Sequence, residues 1–208
     1  MVVKMKNGIK FLHRSAFLLL LSGVLWTTSC GGPKAEDGEG AISFTKEGTI
    51  RADIRESFEQ SYYDKDELQQ TILQEVAEYN SGAGAGSIAV EKVEVEDGTA
   101  LVQMTYQTSA DYAAFNQVTF FCGLAAQAKS EGLNLNVVLS GLKDPTQTVG
   151  ESDILAMEGA ILLITDVQEE ISLNGKALYA SDNAVISENG KNVRSAGEDG
   201  KLIYIIYK

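Results

Sequence analysis

Residues 93–106, VEVEDGTALVQMTY, read as a two-stranded hairpin. Val93 and Val95 alternate with Glu94 and Glu96, Asp97-Gly98 supplies a two-residue turn, and Ala100, Val102, Met104 and Tyr106 alternate on the return. A period of two puts every apolar side chain on one face, and Asp-Gly tolerates the positive φ values that a type I′ turn requires. One face therefore covers a core while the other meets water, as antiparallel sheets allow. Upstream, Ile88 and Val90 are out of phase with Val93, which predicts a β-bulge near Glu91-Lys92.

The segments before the hairpin fit the same architecture. AISFTKEGTIRADI, from Ala41, predicts two short strands around a Lys46-Glu47-Gly48 turn. Asp64 and Glu67 have the spacing of a helical capping box, and Leu68, Ile72, Val76 and Tyr79 follow as one apolar stripe up to Asn80-Ser81-Gly82. The loop Gly82-Ala83-Gly84-Ala85-Gly86 has the composition of a phosphate cradle but the wrong context. Such cradles follow a strand and open a helix, whereas these glycines follow a helix and open a strand.

Downstream, Thr108 or Ser109 with Asp111 caps a second helix expected to run to about Ser130. Its stripes Tyr112, Phe115, Thr119, Cys122, Ala126 and Val118, Phe121, Ala125, Ala128 make it apolar on two sides, as in a central helix. Gly123 within it implies close packing against a neighbour. Leu133, Leu135, Val137 and Leu139 alternate as a strand, and the loop 141–150 is expected to be a boundary or hinge. Beyond it ESDILAME predicts a short helix, and Ala160–Val167 a continuous apolar strand. Asn174-Gly175, Asn189-Gly190 and Asp199-Gly200 punctuate a β-meander ending in Leu202–Tyr207, apolar on both faces and so interior. The expected class is α+β: antiparallel hairpins packed on two main helices, then a β-rich C-terminal meander. Its segments are 41–140 and 151–208.

The N-terminus has a different character. Lys4, Lys6, Lys10 and Arg14 precede an apolar run from Ala16 to Trp26, and small residues lead to Cys30. A positive region, a short apolar region and a small-residue cleavage site make a secretory signal, and the run is shorter than the about 20 apolar residues that span a bilayer. Thr27-Thr28-Ser29-Cys30 resembles the lipobox of bacterial lipoproteins, with Thr27 where that family usually has Leu. The resemblance implies that residues 1–29 are removed as a signal peptide and that Cys30 carries the lipid. It further implies a palmitate-type membrane anchor on the extracytoplasmic face, as in small surface lipoproteins of Gram-positive bacteria. Residues 30–40, Gly-rich and polar, then form a flexible linker reaching at most ~35 Å.

After removal of 1–29 the chain keeps 179 residues, with 13 basic against 29 acidic side chains, a net charge of −16. Such a surface repels nucleic acid and anionic headgroups, so no nucleic-acid partner is expected and attachment falls to the lipid. The only His and Trp, His13 and Trp26, lie in the removed segment, and Cys122 is the only cysteine after Cys30. Without histidine there is no Ser-His-Asp or Cys-His mechanism and no His/Cys zinc site, and one thiol forms no internal disulfide.

Carboxylates are what remains for catalysis. Paired acids run glycoside hydrolysis, and the candidate groups are Asp64, Asp66 and Glu67; Glu94, Glu96 and Asp97; and Asp182 with Glu188. Capping, a solvated strand face and turn formation compete as explanations. Asp182-Asn183 and Glu188–Asn192 approach a calcium loop but carry Lys191 and lack its terminal Glu. Cys122, with no cationic neighbour in sequence, reads as a buried thiol. Tyr62, Tyr63, Tyr204 and Tyr207 suit either a contact surface or a core. No catalytic residue, metal or cofactor is assigned. The expectation is a non-enzymatic binding or accessory module of the cell envelope, engaging a protein or glycan. The alternatives are a carboxylate-dependent glycan-acting enzyme or a small solute-binding receptor.

Overall fold

A computed structural model describes residues 40–45, 47–197 and 200–208. The signal peptide, Cys30, nearly all of the linker, and Lys46 and Asp199 in their expected turns lie outside the described residues. The chain forms β1 (Ala41–Phe44), β2 (Ile50–Ser57), α1 (Lys65–Ala83), β3 (Ile88–Glu96), β4 (Thr99–Tyr106), α2 (Ser109–Asn116), β5 (Phe120–Gly123) and α3 (Ala125–Ser130). There follow β6 (Leu139–Gly141), β7 (Thr148–Val149), α4 (Glu151–Ala156), β8 (Ile161–Thr165), β9 (Glu170–Ser172), β10 (Ala177–Ala180), β11 (Ala184–Ile186), β12 (Asn192–Ser195) and β13 (Ile203–Tyr207). This is an α+β fold with a β-rich C-terminal region.

The 93–106 hairpin forms as its alternation requires. Asp97 and Gly98 both take positive φ (48° and 74°), and Ala100, Val102, Met104 and Tyr106 are all buried. The bulge falls between Val90 and Lys92. It restores Ile88 and Val90 to the core face. β3 and β4 close one side of a seven-stranded sheet in the order β11-β12-β9-β1-β2-β4-β3, antiparallel except where β1 pairs with β9. Six further strands make a second, antiparallel sheet, β5-β8-β13-β10-β6-β7.

Two cores hold the layers together. Between the sheets, Ile42, Ile50, Met104, Tyr106 and Ile171 meet Phe120, Leu163, Ile205 and Tyr207, together with Ile72 and Val76 of α1. On the far side of the second sheet, Phe121, Leu162, Ile164 and Ile206 pack with Leu135, Leu139, Ala128 of α3 and Ile154 of α4. The second sheet is therefore covered on both faces, which is why Ile203–Tyr207 is buried throughout.

α1 starts where expected. Asp64 accepts hydrogen bonds from the backbone N–H groups of Asp66 and Glu67 (2.8 and 3.0 Å), satisfying donors that have no partner within the helix. It runs on to Ala83, and Gly84 and Gly86, at φ 124° and 83°, turn the chain into β3. The glycine loop is thus a helix-to-strand connection.

Several expectations need correction. The helix expected to reach Ser130 stops at Asn116. Gln117 takes the left-handed conformation (φ 58°, ψ 43°), and the Val118 N–H reaches back to the Ala113 carbonyl at 3.2 Å. The β-branched and aromatic run that follows becomes β5, paired with β8. Phe120 and Cys122 face one core and Phe121 the other, so side chains that fit two helical stripes serve two sheet faces instead. Gly123 is indeed closely packed: a Cβ there would meet Gln127 Oε1 at 2.9 Å and Phe121 Cζ at 3.0 Å. The strand expected over 133–139 forms only from Leu139. Local bonds bend the chain before it, Asn136 N–H to Asn134 Oδ1 (2.9 Å) and Val137 N–H to the Leu135 carbonyl (2.8 Å).

The C-terminal strands do not form a meander, because β9, β11 and β12 join the first sheet while β8, β10 and β13 join the second. The loop 141–150 is a closed turn. The Gly141 N–H bonds the Gln147 carbonyl at 2.8 Å, and β6 pairs with β7 across it. Each sheet draws strands from both 41–140 and 151–208.

Candidate functional site

The β2–β4 register carries β2 to Ser57, opposite Thr99, at the turn of the long hairpin. There the Phe58 N–H donates to the Gly98 carbonyl at 2.6 Å, tying the exit of β2 to the hairpin turn. The Glu59 side chain lies over the same glycine, where a Cβ would come within 2.9 Å of Glu59 Cγ. The chain then folds back through Gln60–Tyr63, with the Tyr63 N–H bonded to the Gln60 carbonyl (3.0 Å), before Asp64 opens α1. This packs three rings together through Tyr63. Phe58 and Tyr63 have centroids 4.9 Å apart at 34°, and Tyr62 and Tyr63 are 4.9 Å apart edge to face at 77°.

Tyr62 is 75% exposed, the most exposed large hydrophobic side chain among the described residues. Partial desolvation first, then Tyr62 and the Glu56 carboxylate, raise the Tyr63 phenol above its ordinary value. The first two acidic groups singled out from the sequence border this tip. Asp64 caps α1 with Asp66 and Glu67 in its first turn, Glu94 pairs with Lys92, Glu96 ends β3, and Asp97 is the turn itself. Each of these carboxylates has a structural place in the cap, the strand or the turn.

The other candidates are not brought together. Asp182 precedes β11 and Glu188 follows it, so the strand separates them. Among the described residues no three His, Cys, Asp or Glu side chains are grouped closely enough to hold a metal ion. Cys122 lies on β5 with its Sγ 3.2 Å from the Tyr207 hydroxyl. Burial pushes the thiol pKa up, only partly opposed by that hydrogen bond, so the group is a thiol rather than a nucleophilic thiolate. Tyr204 and Tyr207 are buried on β13, and of the four tyrosines only Tyr62 and Tyr63 reach the surface tip.

An open groove of about 550 Å³ runs beside β10 and β13, lined by Val137, Val138, Ser181, Asp182, Asn183, Lys201 and Tyr204. It brings no acid pair together and is shallow.

Phe58, Glu56 and Glu59 escape a reading of the sequence as site residues. Phe58 lies beyond the strand expected to end at Ile54, and only the β2–β4 register sets it against the Gly98 turn. No family model, no curated protein and no solved structure matches this chain.

Proposed function

We propose that this protein is an extracytoplasmic binding or accessory module of the cell envelope, held to the membrane by lipid on Cys30 and acting by contact rather than by covalent chemistry. The observation that carries the binding role is Tyr62, exposed and packed edge to face on the half-buried Tyr63, which in turn packs on the half-buried Phe58. Aromatic side chains offer large apolar area at small entropic cost and are enriched at the centres of interfaces, and Tyr62 is 75% exposed.

The anchoring role rests on the lipobox-like Thr27–Cys30 and the basic and apolar runs before it. Among the described residues no helix is long and apolar enough to cross a membrane. β1 pairs Ala41 with Asp53, so the chain enters the fold at the end of the sheet toward which β2 runs. Five residues of extended chain, roughly 17 Å, separate that level from Phe58. A tether from Cys30 holds this end toward the membrane.

The test is photocrosslinking in intact cells from a photoreactive side chain at position 62 of the full-length chain, with the N-terminal peptide weighed in the same sample. The reading expects a discrete adduct from position 62 and an acylated Cys30 at the new N-terminus. Position 188, exposed at the opposite end of the sheet, should give no adduct. An unmodified Cys30 would remove the anchor, and equal labelling from both positions would remove the binding role.

A further inference from the structure

We infer that the tip built from Phe58, Tyr62, Tyr63 and the surrounding carboxylates docks a polypeptide segment bearing Lys or Arg, presented by a partner close to the membrane surface. This rests on the binding-module reading above and adds the chemistry of the partner. The rings of Phe58, Tyr63 and Tyr62 are already packed on one another, tilted at 34° and edge to face at 77°, so docking does not have to order them, and the face of an aromatic ring attracts ammonium and guanidinium groups.

Residues 56–67 and 92–98, which meet at the Phe58–Gly98 hydrogen bond, hold eight acidic side chains and two basic ones, Lys65 and Lys92, the latter paired with Glu94. Glu59 lies against the hairpin turn, and Glu96 shares a cross-strand row with Thr99 and Ser57. An apolar partner would strip water from Glu59, Glu96 and Asp97, and an anionic surface would be repelled. A cationic segment satisfies both parts of the tip.

The shape favours a chain over a small cation. The two ring pairs share Tyr63, each with centroids 4.9 Å apart, and spread apolar surface over three side chains, more than one ammonium group covers. The position of the tip, at the end where the chain enters the fold, brings it within reach of membrane-proximal segments.

The test uses the full-length chain purified in detergent, a fluorescent Lys-Gly repeat peptide as probe, and a Glu-Gly peptide of equal length as the charge control. Saturable binding of the lysine peptide is expected, weakening with salt, with none for the glutamate peptide. Tyr62→Ala should loosen it about tenfold while Tyr62→Phe retains it, as a ring contact requires. Glu59→Gln with Glu96→Gln should loosen it and flatten its salt dependence. Because Tyr62 is so exposed, its replacement tests contact rather than folding. Equal binding by the Tyr62→Ala protein would mean diffuse attraction to an acidic chain and would overturn the inference. So would the absence of saturation up to about 1 mM peptide. A Tyr62→Ala change that weakened attachment to zwitterionic vesicles but not peptide binding would also overturn it, in favour of lipid contact. A discrete crosslink from position 62 without lysine-peptide binding would sink this inference and leave the binding-module reading standing.

Discussion

The two sheets of this protein are made from the same chain and differ in how many faces are covered. The seven-stranded sheet shows its outer face to water through Arg51, Asp53, Thr99, Gln103, Thr105 and Glu96, exposed or half-buried. Polar contacts cross that face, as Gln103 Nε2 to Asp53 Oδ1 (3.0 Å) and Thr105 Oγ1 to Glu91 Oε1 (3.1 Å). The six-stranded sheet has a hydrophobic core on each side, and its central strand β13 has no residue facing water. The difference shows what strand periodicity measures. Alternation in β4 reports one covered face, and the unbroken LIYIIY reports two. Neither says what does the covering, which for one is a sheet with flanking helices and for the other a sheet on one side and short helices on the other.

The largest test of this contrast is a pair of truncations. Ile205→Ala, in the centre of β13, should cost about 2–5 kcal/mol, the range for a buried aliphatic side chain. Leu101→Ala, on the open face of β4, should cost no more than about 1 kcal/mol. Urea unfolding of both variants reads the difference directly, and equal losses would break the distinction between the sheets.

A second test uses the buried phenols and thiol between the sheets. Burial pushes Tyr106 up to about 12, with the Asn116 hydrogen bond opposing, and raises Cys122. The folded chain thus keeps protons that the unfolded chain releases at its ordinary thiol and phenol values. Stability is flat below about pH 8 and falls as pH rises through about 8.5 and then 10, with Tyr106 contributing on the order of 2–3 kcal/mol by pH 12. Urea midpoints between pH 7 and 11 should follow this curve, and Cys122→Ala should move its onset upward. A flat profile would mean that the inter-sheet core admits water.

Gly175→Ala probes the end of the central strand. A Cβ at Gly175 would lie 2.6 Å from the Lys208 backbone, which is held by paired bonds to Lys176. A loss of about 1–3 kcal/mol is expected in thermal or urea unfolding. The smallest effect concerns the switch from α2 to β5. Gln117 is exposed and left-handed, so Gln117→Gly should gain up to about 1 kcal/mol in the same measurement. A loss on that change would indicate that the left-handed turn is not what ends the helix.

Much of the site's chemistry was legible in the sequence, but little of its placement was. Tyr62 and Tyr63 and the acids around Asp64 and Asp97 stand out as residue types. Two separate segments become one tip only when Phe58 bonds Gly98, a contact set by sheet register over 40 residues of sequence. The misread helix has a related cause. Tyr112, Phe115, Thr119 and Cys122 recur at helical spacing, yet two-sided burial also arises in a strand between two cores, and only the pairing of β5 with β8 separates the cases.

By itself the sequence determined what local chemistry governs. It specified the hairpin with its Asp-Gly turn and bulge, the Asp64 cap, the stripe of α1, and the interior character of the last strand. These depend on backbone sterics, on neighbouring donors and acceptors, and on how many faces of a strand avoid water. Tertiary structure alone decided which sheet each C-terminal strand joins, where the long helix breaks, and that the hairpin turn comes to lie beside Phe58. Those outcomes depend on pairing between residues far apart in the chain, where the backbone hydrogen bonds of any two strands are chemically alike and only packing of the assembled layers selects the partner.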